Sequence, residues 1–430
     1  MFKIVLFFVL YFSFSIAKHE HYDGYVVYQI TVTDKQQAER VYALENELLL
    51  DVWLYAAPTI PGLVLVPGPM RERFQSKVAA IGAQYELQVE NVKEIVDLEE
   101  KLLATAAFRK STRPGRLSFD KIHRYAEVNA YLDELAEKYD TVTVVSAGKS
   151  FEGRDIRYLK ISTTNFEDTN KPVIMLQSLL HAREWVTLPV TLYAIEKLVI
   201  DITDKNLVDN IDWIILPIAN PDGYEFSHEH LRFWRKNRST GHTITNLCVG
   251  VDLNRNFGYN FGLWSSDIAC SEAYHGKGPF SEPESQAVRS IVLEHSNRLE
   301  LYFDVHSHGS IILYGYGDGI LPPNGLTIHL VAVRIAQAID AVKWPSKPNY
   351  RVGNIAMTFA NVSGTAMDYV QGIGVPLSYI HEMPAHRNEN NSLTGTLVDP
   401  DYIEQAGYET WEGIKVGARW VLENSRRNKH

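Results

Sequence analysis

Four apolar runs in the sequence are each followed by side chains that can bind ions or transfer protons. The pairs of run and polar group are Pro172 to Leu180 with His181 and Glu184, Ile211 to Ile218 with Asn220 and Asp222, Leu299 to Val305 with His306, and Val375 to Ile380 with His381 and Glu382. In open α/β sheets, ligands bind beyond the carboxyl ends of strands. These polar groups are therefore the first candidates for a functional site.

His181 and Glu184 have the spacing of a metal-binding pair. Residues three apart in one turn project to the same side, so both can reach one ion. His306, at the end of another run, supplies a third ligand. Two histidines and one glutamate leave the fourth tetrahedral position of Zn²⁺ open, which is typical of a catalytic site. Taken singly, an HxxE pair arises by chance in many chains, and a lone strand-end histidine is commonly structural.

The elements that must position these residues form an α/β pattern. From about Ser118 onward, amphipathic helices alternate with apolar runs that turn residues bound. This alternation predicts a mixed, mostly parallel central sheet with helices on both faces.

A smaller α+β unit precedes the large one. Residues 18–91 alternate short strand-like and helical segments, and a charged, helix-favouring segment runs from Val92 to Phe108. The stretch Arg109 to Arg116 contains Pro, Gly and four basic residues, as protease-sensitive linkers do. The sequence predicts a propeptide domain at 18–91, a connecting helix and activation linker at 92–116, and a catalytic domain at 117–430. An ordinary interdomain linker is the alternative.

The N-terminus has the pattern of a secretory signal peptide. A lysine at position 3 precedes an apolar run from Ile4 to Phe14, and small residues end at Ala17. The run is short for a membrane anchor, which is the alternative. We therefore predict that residues 1–17 are removed and that the protein is secreted, with no membrane association.

Composition narrows the class of partner. The formal net charge is -10 at pH 7, and no basic stripe is present. Nucleic acid is therefore not an expected partner. Cys248 and Cys270 are the two cysteines, and in an oxidising compartment such a pair is expected to form a disulfide. A two-cysteine zinc site is the alternative, but CxxC spacing is lacking.

Five separated motifs resemble those of pancreatic-type zinc metallocarboxypeptidases, in the same order. They are His181 to Trp185, Trp234 to Arg238, Gly250 to Asn256, Asp304 to Ser307, and Glu382. The resemblance extends over the chain from about Ser118, and the small N-terminal unit is similar to the family's propeptide. It implies the zinc carboxypeptidase fold and hydrolysis of the C-terminal peptide bond.

The resemblance implies roles for the candidate residues. His181, Glu184 and His306 would bind one zinc ion per chain. Asp252 would orient His181 and fix its tautomer. Glu382 would be the general base that takes a proton from the attacking water and passes it to the leaving amine.

It also implies a set of substrate contacts. Arg238 would stabilise the oxyanion opposite the metal. Asn254 and Arg255 would hold the terminal carboxylate of the substrate, and Arg183 would be an auxiliary contact. Without the resemblance, the arginines could equally be solvated surface charges, and Asp252 and Asn254 could cap a turn.

Two positions depart from the family pattern. The family places a tyrosine on a mobile loop about eight residues before the aspartate that matches Asp368, and Ala360 stands there. His308 replaces a second tyrosine. In a strand His306 and His308 share a face, so only the resemblance selects His306 as the ligand.

The specificity pocket is predicted to be apolar. Met367 stands where an acidic residue would select basic C-termini and an apolar one hydrophobic C-termini, and Leu313 and Gly317 match other pocket positions. We therefore expect a preference for aliphatic or aromatic C-terminal residues. Asp318, next to Gly317, is the residue that weakens this expectation.

Taken together, the sequence predicts a secreted zinc carboxypeptidase precursor, activated by a trypsin-like protease and acting on the C-termini of peptides and proteins. A catalytically silent relative that binds C-terminal peptides is one alternative. A zinc hydrolase of the same fold that acts on N-acyl amino acids is another.

Overall fold

The computed structural model describes residues 19–107, 117–384 and 394–425 of the 430-residue chain. The predicted signal peptide and the linker Arg109 to Arg116 lie outside these residues. The described chain contains a small N-terminal unit and a large α/β unit, each built around its own sheet.

The N-terminal unit is a four-stranded antiparallel sheet with two helices packed on it. Its order is β2-β3-β1-β4. The elements are β1 (Val26–Thr31), α1 (Lys35–Leu48), β2 (Asp51–Leu54), β3 (Gly62–Val66), α2 (Arg71–Ile81) and β4 (Gln84–Val89). Val64 and Val66 of β3 pack with Phe74 and Val78 of α2, which gives this unit a core of its own.

Helix α3 (Val92–Ala107) follows and connects the small unit to the large one. Its Glu99 forms a buried ion pair with Arg232, with Oε2 2.5 Å from Nε and Oε1 2.8 Å from Nη2. Arg232 also donates to the carbonyl of Thr396 and stacks on Trp185. Because both charged groups are buried and hydrogen-bonded, removing one partner would be strongly destabilising.

The large unit is built on a mixed eight-stranded sheet, which confirms the predicted α/β fold class. Its order is β11-β10-β12-β9-β7-β8-β6-β5. The strands are β5 (Val142–Lys149), β6 (Asp155–Ile161), β7 (Val173–Gln177), β8 (Asp212–Leu216), β9 (Leu299–Ser307), β10 (Ile311–Tyr314), β11 (Arg351–Asn354) and β12 (Leu377–Met383).

Helices cover both faces of this sheet. They are α4 (Tyr125–Lys138), α5 (Thr187–Val199), α6 (Lys205–Asn210), α7 (Pro221–Glu229), α8 (Pro283–His295), α9 (Gly325–Asp340), α10 (Ile355–Thr358), α11 (Ala366–Gly372) and α12 (Ile403–Asn424). Ile174 and Leu176 of β7 face the core under α5, α9 and α12, whereas Val173 and Met175 face the core under α8 and α11. Burial on both faces is why the strands read as unbroken apolar runs.

The central strands bring the candidate residues to one edge. β8, β7, β9 and β12 are mutually parallel neighbours. Their carboxyl ends therefore lie side by side, and the residues that end each apolar run meet there.

The segment between α7 and α8 has little regular structure, and a disulfide joins Cys248 to Cys270 within it. This confirms the predicted pairing. The bridge closes the loop that carries a 3-10 turn at Leu253–Arg255.

Gly364 lies in the loop between α10 and α11 and packs against the backbone of that turn. Its φ is +69°, and a Cβ there would lie 2.1 Å from the Arg255 carbonyl oxygen. Gly374 also has a positive φ, +96°, but a Cβ there meets nothing within 4 Å. An alanine at either position would have a strained backbone, but only at Gly364 would it also overlap a neighbouring atom. Substituting the two glycines in turn therefore distinguishes the two effects.

We predict that Gly374→Ala costs about 1 kcal/mol of unfolding free energy, the price of a left-handed alanine. Gly364→Ala should cost about 1–3 kcal/mol more, because the loop must move away from Arg255. Denaturant unfolding of the full chain measures both changes. Equal losses in the two variants would contradict the close packing at Gly364.

Candidate active site

Three buried side chains converge at the carboxyl edge of the sheet. His181 and Glu184 lie in the turn between β7 and α5, and His306 is the penultimate residue of β9. His181 Nδ1 lies 2.8 Å from Glu184 Oε1, and His306 Nδ1 lies 3.0 Å from both His181 Nδ1 and Glu184 Oε2. The three residues form a group that can hold one metal ion.

The donor set fits zinc. Two imidazole nitrogens and one carboxylate are typical of catalytic zinc sites with an open position. Burial opposes ionisation of Glu184, but the nearby imidazoles of His181 and His306 outweigh it and hold the pKa of Glu184 well below its usual value. The carboxylate is therefore available as a ligand at neutral pH.

The far nitrogens of both imidazoles lie beside carboxylates. His181 Nε2 is 3.2 Å from Asp252 Oδ1, and His306 Nε2 is 2.9 Å from Asp304 Oδ2. Asp252 was singled out from the sequence, whereas Asp304 was given no role. The available signal was that Asp304 stands two residues before His306, on the same face of the strand.

Asp252 has two further partners. Its Oδ1 accepts from the backbone N–H of Asn254 at 3.0 Å, and its Oδ2 accepts from Arg235 at 3.1 and 2.9 Å. Burial opposes its ionisation, but Arg235 and then His181 hold the pKa of Asp252 well below its usual value. Asp252 thus caps a turn and also contacts the metal-binding group.

Arg235, not Arg238, lines the cavity together with His181 and Glu184. The Nη1 atom of Arg235 is 3.1 Å from His181 Nδ1 and 3.8 Å from Glu184 Oε1. Arg238 instead stacks on Phe226, with the guanidinium carbon 3.6 Å from the ring centroid. The structure therefore contradicts the prediction that Arg238 faces the metal-binding group, and Arg235 lies there instead.

The physical reason for this correction lies in the backbone between the two arginines. Asn237 donates its N–H to the Val251 carbonyl at 3.1 Å, and its side-chain oxygen accepts from Val251 N at 2.8 Å. This pairing pins the segment and turns Arg238 toward an aromatic surface. The motif Trp234 to Arg238 contains both arginines, three residues apart, and spacing alone could not show which of them faces the cavity.

Asn254 and Arg255 line the same cavity as Glu382. Asn254 Oδ1 accepts from Ala366 N at 2.8 Å, and Arg255 Nη1 donates to the Asn254 carbonyl at 2.9 Å. These bonds fix both side chains at the base of the cavity. A guanidinium in this position can bind a carboxylate with two parallel hydrogen bonds.

Glu382 stands next to His306 in the sheet. The two residues are register partners in the parallel pair of β12 and β9. Burial raises the pKa of Glu382 to about 8, with His306 and Arg235 acting in the opposite direction. His308 lies just beyond the end of β9, not within the strand as the sequence predicted, and it also lines this cavity.

An apolar cluster adjoins the cavity, and several of its members line the cavity itself. Its buried residues are Ala57, Ile60, Ile311, Leu313, Ile355, Val362, Met367 and Ile380, with Leu54 and Phe359 packed against them. The Asp318 carboxylate accepts from Asn260 at 3.0 Å and from Ile320 N at 2.8 Å. Ala360 follows Phe359 in the loop between α10 and α11.

The N-terminal unit covers the site. Asp51 of β2 accepts from Arg183, with both carboxylate oxygens 2.7 Å from Nη1. Glu45, which also lines the cavity, accepts from Tyr55 at 2.9 Å. Burial raises the pKa of Glu45 to about 7, while its bond from Tyr55 and the charge of Arg255 oppose the shift. The predicted auxiliary substrate contact, Arg183, is therefore already occupied by a carboxylate.

Across the described ranges, no helix has the length and apolar character needed to cross a bilayer.

Comparison with known proteins agrees with this geometry. Residues 128–413 match the zinc carboxypeptidase family, and residues 28–99 match the carboxypeptidase activation peptide. A carboxypeptidase B of Helicoverpa zea is 41% identical over 410 residues, covering 94% of this chain and 95% of that one. Carboxypeptidase A1 of Rattus norvegicus is 32% identical over 407 residues, covering 92% and 94%.

Solved structures give the same result. The crystal structure of carboxypeptidase A from Helicoverpa armigera is 58% identical, with a TM-score of 0.92, and the match covers 94% of this chain and 99% of that one. The family match spans well over half of the chain, and the metal-binding group lies where the fold gathers its strand ends. The chain belongs to the zinc carboxypeptidase family, whose members are hydrolases that act on peptide C-termini, and it carries that family's activation peptide.

Proposed function

We propose that this chain is the secreted precursor of a carboxypeptidase that binds one zinc ion and removes single hydrophobic residues from peptide C-termini. One observation carries the proposal. Two members of the metal-binding group, His181 and Glu184, line a single cavity with a buried carboxylate and an arginine suited to a terminal carboxylate, and an apolar cluster lies beside it.

His181, Glu184 and His306 would hold the zinc ion, with Asp252 orienting His181. When bound, zinc would polarise the scissile carbonyl and lower the pKa of a water molecule to about 7. The chain's own residues then bind the substrate, move the proton and stabilise charge.

Arg255, with Asn254, would bind the substrate's terminal carboxylate. An internal peptide bond lacks this group, so the anchor restricts cleavage to the last residue. With the substrate held in this way, the side chain of that residue would enter the adjoining apolar pocket.

Glu382 would act as the general base. It takes a proton from water while the water oxygen bonds to the scissile carbonyl carbon, and Arg235 stabilises the negative charge that develops on the carbonyl oxygen. Glu382 then passes the proton to the amine nitrogen as the C–N bond breaks. The products are the shortened peptide and a free amino acid.

The preference for hydrophobic residues is argued from Met367. This side chain is fully buried in the same apolar cluster as Leu313, Val362 and Ile380. A Lys or Arg side chain placed there would lose its hydration without gaining a partner. Aliphatic and aromatic side chains gain free energy from the same burial.

The N-terminal unit would keep the precursor inactive. Asp51 occupies Arg183, Val52 to Tyr55 line the cavity, and Ala57 and Ile60 join the apolar cluster of the pocket. A peptide cannot occupy this space at the same time. We infer that cleavage by a trypsin-like protease near Arg109 to Arg116 releases the unit, and that residues 1–17 direct secretion.

We predict that the purified precursor, cut with trypsin, releases free amino acids from peptides with Leu or Phe at the C-terminus. A zinc chelator should stop the release, and the uncut chain should be much less active. Amino-acid analysis measures the product.

Glu382→Gln should retain zinc but lose about 10²–10⁴-fold in kcat, because the ligands remain and the base is gone. A fully active Glu382→Gln enzyme would refute the assignment of the base.

We predict that Arg235→Ala lowers kcat about 10²–10³-fold through loss of charge stabilisation at the developing oxyanion. Arg238→Ala is the matched control, since that guanidinium lies on Phe226. Its kcat/KM should stay near that of the unsubstituted enzyme. Metal analysis of both variants separates loss of zinc from loss of catalysis, and the reverse order of effects would restore the role to Arg238.

We predict that Met367→Asp shifts the preference toward Lys and Arg termini, because a carboxylate in the pocket pairs with a basic side chain. Met367→Leu, which nearly conserves volume, should keep the hydrophobic preference. Cleavage of peptides that differ only in their last residue gives the ratio of kcat/KM values. If Met367→Asp leaves that ratio unchanged, the pocket has been misplaced.

A further inference from the structure

Asp304 lies directly behind one of the two histidines of the metal-binding group. Its Oδ2 is 2.9 Å from His306 Nε2, and the side chain is completely buried. His306 Nδ1 faces Glu184 and His181 at 3.0 Å. The imidazole therefore has one nitrogen toward the metal position and the other toward a carboxylate.

The chemistry of Nε2 selects Asp304 as its partner. When Nδ1 of a neutral imidazole offers its lone pair to a metal, the proton sits on Nε2 and needs an acceptor. Asn254 Nδ2 also lies near, at 3.3 Å, but an amide nitrogen cannot accept, and Asn254 Oδ1 is bonded to Ala366 N. Asn254 Nδ2 can only donate to Nε2, which requires the opposite tautomer, whereas the carboxylate 2.9 Å away can accept a hydrogen bond from a protonated Nε2.

Asp304 is itself held in place. Gln177 Nε2 donates to Asp304 Oδ1 at 2.9 Å, and the two residues are register partners in the parallel pair of β7 and β9. Gln177 is the last residue of β7, the strand that leads into His181. The Gln177 side chain thus links Asp304 to β7, the strand that precedes His181.

We propose that Asp304, held by Gln177, is a positioning residue that fixes the tautomer and ring orientation of His306 for zinc binding. It does for His306 what Asp252 does for His181, so that both imidazoles are supported by carboxylates. The inference rests on the proposed function in one respect, which is that the His181, Glu184 and His306 group binds zinc.

Asp304→Leu and Asp304→Asn in the full precursor test this role. The leucine removes the acceptor and should weaken zinc binding about 10–100-fold, the usual effect of losing such a support. The asparagine keeps an oxygen acceptor of the same shape but loses the charge, so its loss should be smaller. Competition with a chromophoric chelator gives the zinc affinity, and the rate of zinc release gives a second readout independent of activity.

Asp212→Asn is the matched control. Asp212 is also completely buried in the same sheet, but it starts β8, at the end away from the site, and pairs with Arg298 at 2.7 Å. This variant should lose thermal stability and keep its zinc affinity. Equal loss of zinc affinity in Asp212→Asn and Asp304→Asn would mean that any damage to the sheet weakens the site, which would overturn the inference.

The variant His306→Ala distinguishes failure of the positioning role of Asp304 from failure of the proposed zinc site. If His306→Ala binds zinc as tightly as the unsubstituted chain, the metal site itself is wrong. If His306→Ala loses zinc while both Asp304 variants retain full affinity and slow release, the positioning role of Asp304 is overturned. Gln177→Leu should give a weaker version of the Asp304→Leu effect, because the carboxylate stays but loses its anchor.

Discussion

The approach of two imidazoles and a carboxylate to within about 3 Å of one another is the constraint on which the rest of this structure depends. Such an approach requires β7 and β9 to be adjacent parallel strands that end at the same edge. The turn after β7 must also bring His181 and Glu184 to one side. The continuous apolar character of the strands provides this arrangement, because burial on both faces holds them in the middle of the sheet.

Charged side chains of alternating sign surround this group. Asp252 and Asp304 lie beside the far nitrogens of the histidines, and Arg235 pairs with Asp252 and lines the cavity with it. Buried ions are tolerated only when they are paired and hydrogen-bonded, so each of these side chains constrains the next. The position of Arg235 therefore follows from Asp252 as much as from its own segment of chain.

Buried ion pairs also join the N-terminal unit and its connecting helix to the large unit near the site. Asp51 of the N-terminal unit pairs with Arg183, and Glu99 of the connecting helix pairs with Arg232. Both arginines are almost completely buried in the precursor. Release of the unit breaks both ion pairs and leaves each arginine without its carboxylate partner, which opposes release while the chain is intact.

The sequence by itself determined the fold class and the cysteine pair, and it selected His181, Glu184, His306 and Glu382, which the structure brings together. Apolar runs, local spacing and ordered motifs are properties of the linear chain, which is why they could be read from it. The sequence did not determine which arginine of Trp234 to Arg238 enters the cavity, and it gave no role to Asp304. Those choices depend on Asn237 pairing with Val251 and on Gln177 lying opposite Asp304. Only the tertiary structure decided them, because contacts between residues distant in the chain arise when the strands and loops pack together.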